Sequence, residues 1–297
     1  MNILTSKLKP KYLPGGWSVG AVRAERLEDF PTQLPKSSLI GPEELRVCRG
    51  DQAADPFGIC RGSDWYIFFE MMRKGEPNAV ISVAKSRDLI TAEVLGVVLE
   101  PGHHLSYPFV FEHEGQIYMM PESKKKRRID VYRAIDFPMT WTFDRTVLHG
   151  RYMDASILHW KNRYWLFAGW QSYWLRVFHS ASPLGPWKSI ACPMARLYNK
   201  QNVRPGGKVI EYRGELLRFV QDNQRYYGHQ LRAQRIKMLN RFFFREVPWR
   251  SDPFLQPTDA HWCGAAIHHL DSHAFDGQWV GFVDGGSIEK NPGLSPR

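Results

Sequence analysis

The stretch His104–Ser123, "HLSYPFVFEHEGQIYMMPES", contains the pattern that decides the fold. An apolar run leads into a Glu-Gly turn, a second apolar run follows, and the stretch closes with Pro-Glu-Ser. Two such runs joined by a short turn predict a β-hairpin. His113 and Glu114 begin like the zinc-binding HExxH helix, but Ile117 occupies the place of the second histidine. The stretch therefore predicts strands and no metal site.

The same hairpin pattern recurs along the chain at intervals of about fifty residues. Each copy has an apolar strand, a polar turn and a second strand rich in aromatic residues and valine. The copies are "ADPFGICRGSDWYIFFE" from Ala54, "SYPFVFEHEGQIYMMPES" from Ser106, "DASILHWKNRYWLFAGW" from Asp154, "RPGGKVIEYRGELLRFVQDN" from Arg204 and "AAIHHLDSHAFDGQWVGFVDG" from Ala265. Downstream stretches such as "AVISVAKSRDL" and "EVLGVVLE" predict a third and a fourth strand. Four antiparallel strands in each repeat are typical of a β-propeller blade.

Five units predict an all-β chain folded as a five-bladed β-propeller. We expect a single domain over residues 1–297, with blades that start near residues 54, 106, 153, 203 and 261. The fifth unit is short, because only "GSIEKNPGLSPR" follows its hairpin. Near the N-terminus, "WSVGAVRAERLEDFP" resembles the third strand of the second unit, "RRIDVYRAIDFP". We therefore expect residues 15–50 to complete the fifth blade, with "EELRVCRG" as its outermost strand, and to close the ring.

Composition restricts the partners and the location. The net charge of +10 indicates an anionic partner, but no basic stripe with interleaved aromatic residues is present, so a nucleic acid is not expected. The basic surface is a candidate for peripheral membrane contact. No apolar run approaches membrane-spanning length, and the first residues lack a signal-peptide core, which predicts a cytoplasmic protein. The four cysteines stand far apart and indicate free thiols.

A propeller gathers residues from distant positions, because the first strand of each blade lines the central channel and starts at the same mouth. The predicted starts of these strands are Asp55, Tyr107, Asp154, Arg204 and the region from His261 to His269. The ends of the second strands reach the same mouth and are Glu70, Glu122, Gln171, Gln221 with Asp222, and Asp284.

Several motifs mark a resemblance to known families. "ADPFGI", "MDASIL" and the blade spacing resemble the five-bladed propellers of the glycoside hydrolase clan that includes arabinanases, xylosidases and invertases. "GHHLSYPFVFEHEGQIYMMPES", "IDVYRA", "SPLGPW", "RPGG" and "GELLRFVQDNQRYYG" are similar to the N-terminal propeller domain of glucosamine inositolphosphorylceramide transferases and of stand-alone bacterial relatives. The resemblance covers roughly residues 15–285.

The resemblance to the hydrolase clan implies roles for two acids and a departure at a third position. Asp55 matches the clan's base or nucleophile, and Asp154 matches the acid that tunes the proton donor or holds the sugar. Where the clan has a proton-donating glutamate, this chain has Arg204, which cannot donate a proton near neutral pH. A nucleoside-diphosphate leaving group needs positive charge more than a proton, and arginine suits phosphate. Arg204 therefore favours transfer from a phosphorylated donor.

These observations predict a carbohydrate-active enzyme. The predicted enzyme is a glycosyltransferase that takes its sugar from a sugar nucleotide or another phosphorylated sugar. Its predicted acceptor is a glycan or a lipid-linked compound, in the synthesis of cell-surface glycans or glycolipids. No cofactor and no metal are predicted. The candidate catalytic residues are Asp55, Asp154 and Glu122; the candidate substrate-binding residues are Arg204, His104, Tyr107, Gln221, Asp222, Tyr227 and His268.

Two other functions and three structural interpretations remain open from the sequence. The chain could be a glycosidase that uses Asp55 and Glu122, or a non-catalytic propeller that binds glycan or scaffolds a partner. Arg204 could pair with Asp154 or Asp222 across the channel. Glu122 could form a salt bridge to Arg128 or to another basic residue. The run "KKKRR" from Lys124 is interpreted as a solvated turn.

Overall fold

The computed structural model describes residues 12–170, 174–191 and 204–290. Within these ranges the secondary structure is almost entirely β. The strands are β1 (Tyr12–Ala24), β2 (Gly50–Arg61), β3 (Asp64–Arg73), β4 (Val80–Ser86), β5 (Glu93–Leu99), β6 (Ser106–His113), β7 (Gln116–Glu122), β8 (Arg128–Asp136), β9 (Thr140–His149), β10 (Tyr152–Trp160), β11 (Arg163–Trp170), β12 (Trp174–Ser180), β13 (Lys188–Ser189), β14 (Ile210–Tyr212), β15 (Glu215–Asp222), β16 (Gln230–Leu239), β17 (Phe244–Pro248), β18 (Leu270–Phe275) and β19 (Gln278–Lys290). The helical segments are α1 (Phe30–Gln33), α2 (Pro42–Leu45) and the 3₁₀ turns Leu27–Asp29, Arg46–Cys48, Lys124–Lys126 and His261–Cys263.

The strands form five antiparallel sheets, so the predicted five-bladed β-propeller is confirmed. Four sheets have four strands each, in the orders β2-β3-β4-β5, β6-β7-β8-β9, β10-β11-β12-β13 and β14-β15-β16-β17. Each strand pairs with the next one along the chain, as in a propeller blade whose strands run outward from the channel. The first strand of the fourth blade is short, and a bridge between Pro205 and Val220 extends its pairing towards Arg204. The predicted start of that blade, near residue 203, lies outside the described residues.

The fifth blade closes the ring. Its sheet has the order β1-β19-β18, so the N-terminal strand pairs with a strand from the C-terminal part of the chain. Trp17 lies opposite Gly286, and Ala24 lies opposite Trp279. This closure by the N-terminal strand is the arrangement that the sequence predicted. The first strand of the blade begins at Leu270, later than the predicted position near 261, where a 3₁₀ turn forms instead.

The prediction that "EELRVCRG" forms the outermost strand of the fifth blade is wrong. Residues of this stretch form α2 and the 3₁₀ turn that follows it. Pro42 opens the helix, and the Glu44 carboxylate accepts a hydrogen bond from the Gly41 N–H (2.8 Å). Proline at the first turn and a glutamate that reaches back to the residue before the helix both favour a helix start. Ile40 forms the bridge to Val19 where a fourth strand would pair.

Apolar clusters between neighbouring blades hold the ring together. One cluster joins the first three blades, and others fill the junctions between blades three and four, four and five, and five and one. Burial of large apolar side chains is the main source of stability in such a fold. Phe57, Phe167, Phe219 and Phe282 supply nearly inaccessible rings to four of these junctions.

Polar contacts add directional links between blades. In the fourth and fifth blades, Lys208 Nζ lies 2.8 Å from Asp271 Oδ1, and His273 Nε2 lies 2.7 Å from Asp271 Oδ2. The N–H of Gly58, in the first blade, donates to the same carboxylate (2.8 Å). Asp271 therefore joins three blades through one buried side chain.

Two sequence-based expectations concern the rest of the described chain. Cys48, Cys60 and Cys263 are free thiols, as predicted, whereas Cys192 lies outside the described residues. Among the residues that the structure describes, no helix has the length and apolar character needed to cross a membrane.

Candidate functional site

The inner strands of the first three blades share one backbone irregularity. Asp55, Tyr107 and Asp154 have φ angles of 51°, 48° and 51°, in the left-handed region. At each position the pairing with the second strand shifts register. A bulge of this kind redirects the side chain away from the regular pleat. Aspartate tolerates the left-handed conformation better than tyrosine does, because its short polar side chain can bond locally.

Carboxylates from the preceding blade hold two of these bulges. The N–H of Asp55 donates to Asp284 Oδ2 (3.1 Å), and the N–H of Asp154 donates to Glu122 Oε2 (3.0 Å). Both accepting residues lie in the second strand of the preceding blade, towards or at its end. The repeated contact explains why carboxyl groups from distant positions meet at the channel mouth.

Arg204 forms an ion pair with Asp154 inside this mouth. Its Nε lies 2.5 Å from Asp154 Oδ2, and its second nitrogen, Nη2, lies 3.4 Å from Oδ1. Asp154 is fully buried, and the guanidinium carbon of Arg204 lies 5.2 Å from the centre of the Tyr227 ring. Burial opposes the positive charge of Arg204, but nearby anionic groups, Asp154 first, raise its pKa well above the usual range. The guanidinium therefore stays charged and is engaged by a partner from the third blade.

Asp55 has a different environment. Burial raises the pKa of Asp55 to about 7; the charge of His268 opposes this shift, and the charges of Asp154 and Asp284 add to it. His269 Nδ1 lies 3.7 Å from Asp55 Oδ1, while His269 Nε2 lies 2.9 Å from the carbonyl oxygen of Pro56. Burial lowers the pKa of His269 to about 4, so this imidazole is neutral near pH 7 and offers no positive charge to Asp55. Asp55 is therefore poised between its protonated and ionised forms near neutral pH.

Two further carboxyl groups complete the acidic cluster. Burial raises the pKa of Glu122 well above its usual value, and the Asp154 charge adds to the shift. Burial also raises the pKa of Glu70, and the charges of Asp55 and Glu122 raise it further. In both groups the pKa shift is towards the protonated form, which is the form that can donate a proton. Arg128 pairs with Asp130 (2.8 Å), so the salt bridge between Glu122 and Arg128 considered from the sequence is not formed.

Aromatic and imidazole rings line the opening beside these acids. His268 Nδ1 lies 2.7 Å from Asp284 Oδ2, and this carboxylate raises the pKa of His268 against the opposing effect of burial. Trp17 stacks on His268 with ring centres 4.3 Å apart, and the Tyr227 hydroxyl lies 3.0 Å from His268 Nε2. A cavity of about 130 Å³ opens here, lined by Trp17, Gln52, Ala54, Glu70, Met72, Tyr227 and His268.

The site also contains atoms at a spacing found in metal sites. Ligand atoms of Asp55, His268 and Asp284 lie within 4.8 Å of one another. His268 Nδ1 is already paired with Asp284, and Asp284 also accepts the N–H groups of Asp55, His268 and His269. Asp284 is therefore already engaged by His268 and by three backbone N–H groups, whereas Asp55 Oδ1 is buried and has no hydrogen-bond partner among the described residues.

The structure brings most of the sequence-predicted residues together. Asp55, Asp154, Glu122, Arg204, Tyr227 and His268 interact directly or electrostatically around the mouth. Gln221 joins them through its Nε2, which lies 3.4 Å from Asp154 Oδ2. His104 lies at the edge, with Nε2 3.4 Å from Glu70 Oε1.

Tyr107 and Asp222 are placed differently from the other predicted residues. Tyr107 is fully buried, and its hydroxyl accepts the Gly207 N–H (2.9 Å), so it supports the site from below. Asp222 follows Gln221 on β15, and neighbouring strand residues point to opposite faces. Its carboxylate accepts from Arg232 Nε (2.8 Å) outside the central cluster. Gln171 lies outside the described residues.

The structure adds three residues to the candidate set. Glu70 and Asp284 stand at the predicted ends of second strands, which was the signal that could identify them. Trp17 had a predicted place in the fifth blade, but no local pattern links it to a site. It reaches the mouth because β1 pairs with β19, which is a consequence of ring closure.

Solved structures share this fold at low sequence identity. RS223 β-xylosidase aligns over 82% of this chain and 96% of its own, with a TM-score of 0.59 and 16% identity. An exo-1,5-α-L-arabinanase from a bovine ruminal metagenomic library aligns over 81% and 92%, with a TM-score of 0.56 and 16% identity. Zg3597, a family 117 glycoside hydrolase of Zobellia galactanivorans, aligns over 82% and 90%, with a TM-score of 0.52 and 14% identity. These similarities establish the fold.

Comparison of sequences identifies the family, which the solved structures do not. Residues 47–286 match the family described as "Glucosamine inositolphosphorylceramide transferase 1, N-terminal". The protein named glucosamine inositolphosphorylceramide transferase 1 in Arabidopsis thaliana is 35% identical over 251 residues, which are 79% of this chain and 32% of the relative. The protein of that name in Oryza sativa subsp. japonica is 34% identical over 247 residues, 79% of this chain and 33% of the relative. This chain thus spans about a third of the length of these relatives, and it belongs to the family defined by the N-terminal region of glucosamine inositolphosphorylceramide transferase 1.

Proposed function

We propose that this chain is a carbohydrate-active enzyme that transfers a glycosyl group at the channel mouth, in the assembly of a glycolipid or another cell-surface glycan. Its plant relatives are named as transferases of glucosamine inositolphosphorylceramide. Because the chain corresponds to about a third of those proteins, the activity in their name is carried over as a proposal. The site itself supports the choice of reaction class.

The observation that carries the proposal is the environment of Asp55. A carboxyl group with a pKa of about 7 can accept a proton from an acceptor hydroxyl near neutral pH. The raised pKa of Glu122 suits a group that supplies a proton to a leaving oxygen. A base and an acid with different environments at one mouth match the division of labour in glycosyl chemistry.

The proposed donor is a phosphorylated sugar such as a sugar nucleotide. Arg204 is the charged group suited to its phosphates, because the guanidinium fork binds phosphate oxygens in pairs. In this structure Arg204 binds Asp154, so the donor would share or replace that contact. The raised pKa values of Asp55, Glu70 and Glu122 reduce the negative charge that a phosphate would meet. A cytoplasmic location, where sugar nucleotides are made, stays a prediction.

Glycoside hydrolysis is the second candidate function. Glu122, whose pKa is raised, would provide the acid whose absence at the position of Arg204 argued against a hydrolase. Water would then replace the acceptor hydroxyl, and Asp55 would act as base or nucleophile. A glycan-binding propeller without catalysis is the remaining alternative.

The test is a thermal-shift screen with sugar nucleotides, free sugars and oligosaccharides, followed by turnover assays with every ligand that stabilises the protein. Transfer predicts stabilisation by a sugar nucleotide, loss of that effect in Arg204→Gln, and release of nucleoside diphosphate that depends on an added acceptor. Stabilisation by oligosaccharides alone, with cleavage in water, would establish the hydrolase instead. Ligand binding without any turnover would indicate a binding propeller without catalytic activity.

A further inference from the structure

A second, larger cavity lies beside the central site, across the loop of residues 223–229. Its volume is about 460 Å³, which lies within the range of sites for small organic ligands. Tyr227, in this loop, faces the central site, whereas other residues of the loop line the second cavity. The lining residues that matter for its chemistry are Asp222, Arg225, His229, Gln230, Arg232 and Gln256.

The one carboxylate in this cavity is already satisfied. Asp222 accepts hydrogen bonds from Gln230 Nε2 (2.7 Å), Arg232 Nε (2.8 Å) and the Gln224 N–H (3.1 Å). The carboxylate is buried and its charge is offset by the Arg232 guanidinium. Asp222 therefore positions Arg232 and Gln230 along the wall and leaves little free negative charge to repel an anion.

The donors opposite Asp222 have unused capacity. Arg225 is exposed, and within the described part of the chain it has no ion pair. His229 Nδ1 is shielded from solvent and has no hydrogen-bond partner among the described residues. Burial and the charges of Arg225 and Arg232 lower the pKa of the His229 imidazole, so the positive charge of this cavity comes from the two arginines. The Gln256 side chain lines the same cavity.

We propose that this cavity binds a phosphate group, held by Arg225 and Arg232. The two guanidinium groups provide charge-assisted donors suited to phosphate oxygens, and Arg232 is held in place by Asp222 at Nε (2.8 Å) and by the Ser251 carbonyl oxygen at Nη1 (3.0 Å). The cavity is larger than a phosphate ion and has room for a polar group that carries the phosphate, such as a polyol or sugar. This proposal does not depend on the reaction proposed for the channel mouth, because phosphate binding can be measured without turnover.

Calorimetric titration of the whole chain with inorganic diphosphate, at constant ionic strength, tests the proposal. We expect saturable binding that weakens roughly tenfold or more in Arg225→Gln, because a hydrogen bond to a charged group is worth about 1.5–3 kcal/mol. Arg245→Gln is the matched control, since Arg245 is an exposed arginine of the same blade outside the cavity, and its affinity should equal that of the wild type. Arg225 has no ion-pair partner to lose, so its variant should fold normally, with an unchanged melting temperature.

Arg204→Gln separates this cavity from the central site. Diphosphate binding that survives in Arg204→Gln and weakens in Arg225→Gln supports the second cavity. Loss in Arg204→Gln with full binding in Arg225→Gln, or no saturable binding at all, overturns the inference.

Vesicles distinguish two sources of the phosphate once its binding is established. Binding to phosphatidylinositol vesicles that depends on Arg225 and is displaced by diphosphate identifies a lipid headgroup as the source. Diphosphate binding without such vesicle binding identifies a soluble phosphorylated compound. Both results support phosphate binding in this cavity. Equal vesicle and diphosphate binding by wild type and Arg225→Gln contradicts it.

Discussion

Asp55 and Asp154 occupy the same backbone position in the first and third blades, yet their surroundings differ. Both have a φ of 51°, and both N–H groups donate to a carboxylate of the preceding blade. Asp154 binds a guanidinium at 2.5 Å, whereas Asp55 has no such ion pair: His269 lies at 3.7 Å, and burial raises the pKa of Asp55 against the opposing charge of His268. One repeated backbone feature thus presents an anchored carboxylate in one blade and a proton-exchanging carboxyl in another. The difference identifies Asp55 as the candidate reactive group and Asp154 as the holder of Arg204.

The largest expected effect is the loss of activity in Asp55→Asn. The amide cannot accept a proton, so turnover should fall about 10²–10⁴-fold, the usual contribution of general acid–base catalysis. The measurement is the rate of nucleoside diphosphate or sugar release with the substrate identified by the screen. Asp136→Asn, at an exposed position, is the control and should keep full activity. Comparable rates in Asp55→Asn and wild type would remove Asp55 from the mechanism.

Removal of the partner of Asp154 should mainly affect stability. Arg204→Met leaves a fully buried carboxylate without its cation, which costs about 3–5 kcal/mol. Urea unfolding should show this as a lower midpoint with an unchanged slope. The double variant with Asp154→Asn should recover part of the loss, because the uncompensated charge is then absent. If Arg204→Met unfolds at the same urea concentration as the wild type, the ion pair between Arg204 and Asp154 does not stabilise the fold.

The pH dependence of stability should report the raised pKa of Asp55. The pKa of Asp55 is about 7 in the folded protein and near 3.9 in an unfolded chain, so the folded state holds the proton more tightly. The stabilising contribution is therefore complete below about pH 4 and is lost as the pH rises through 7. Asp55→Asn should lack this component, so the free energy of unfolding should fall less steeply with pH in the variant. Parallel curves from pH 4 to 8 would contradict the raised pKa.

The smallest effect is expected at the equivalent position of the second blade. Tyr107→Phe removes the acceptor of the Gly207 N–H and should cost about 1–3 kcal/mol of stability. Activity should stay close to that of the wild type, because the tyrosine is buried beneath the site. Both are measured on one preparation by urea unfolding and turnover. A large loss of activity without loss of stability would show that Tyr107 contacts the substrate.

The repeat in the sequence was sufficient to predict the fold and the general place of the site. Hairpins at nearly equal spacing predict blades, and blades bring Asp55, Asp154 and Arg204 to one mouth. The outer part of the fifth blade was not predictable in the same way. There the apolar pattern of "EELRVCRG" suits a strand, but Pro42 and the Glu44 contact with Gly41 favour a short helix.

Contacts within the site depend on geometry that no local pattern records. The pairing of Arg204 with Asp154 joins residues from different blades, and the sequence left Asp222 as an equal choice. Strand alternation explains the outcome, since Gln221 faces Asp154 while Asp222 faces Arg232. The raised pKa of Asp55 arises from burial and from three-dimensional neighbours, so spacing along the chain could not indicate it.

The most direct test of this account is a ¹³C NMR titration of the aspartate carboxyl carbons, with the Asp55 signal assigned by its absence in Asp55→Asn. We predict that the Asp55 signal titrates with a midpoint near pH 7 in the folded protein. A midpoint near 4, the value of an ordinary exposed aspartate, would contradict the central claim that the channel mouth holds a carboxyl group ready for proton transfer.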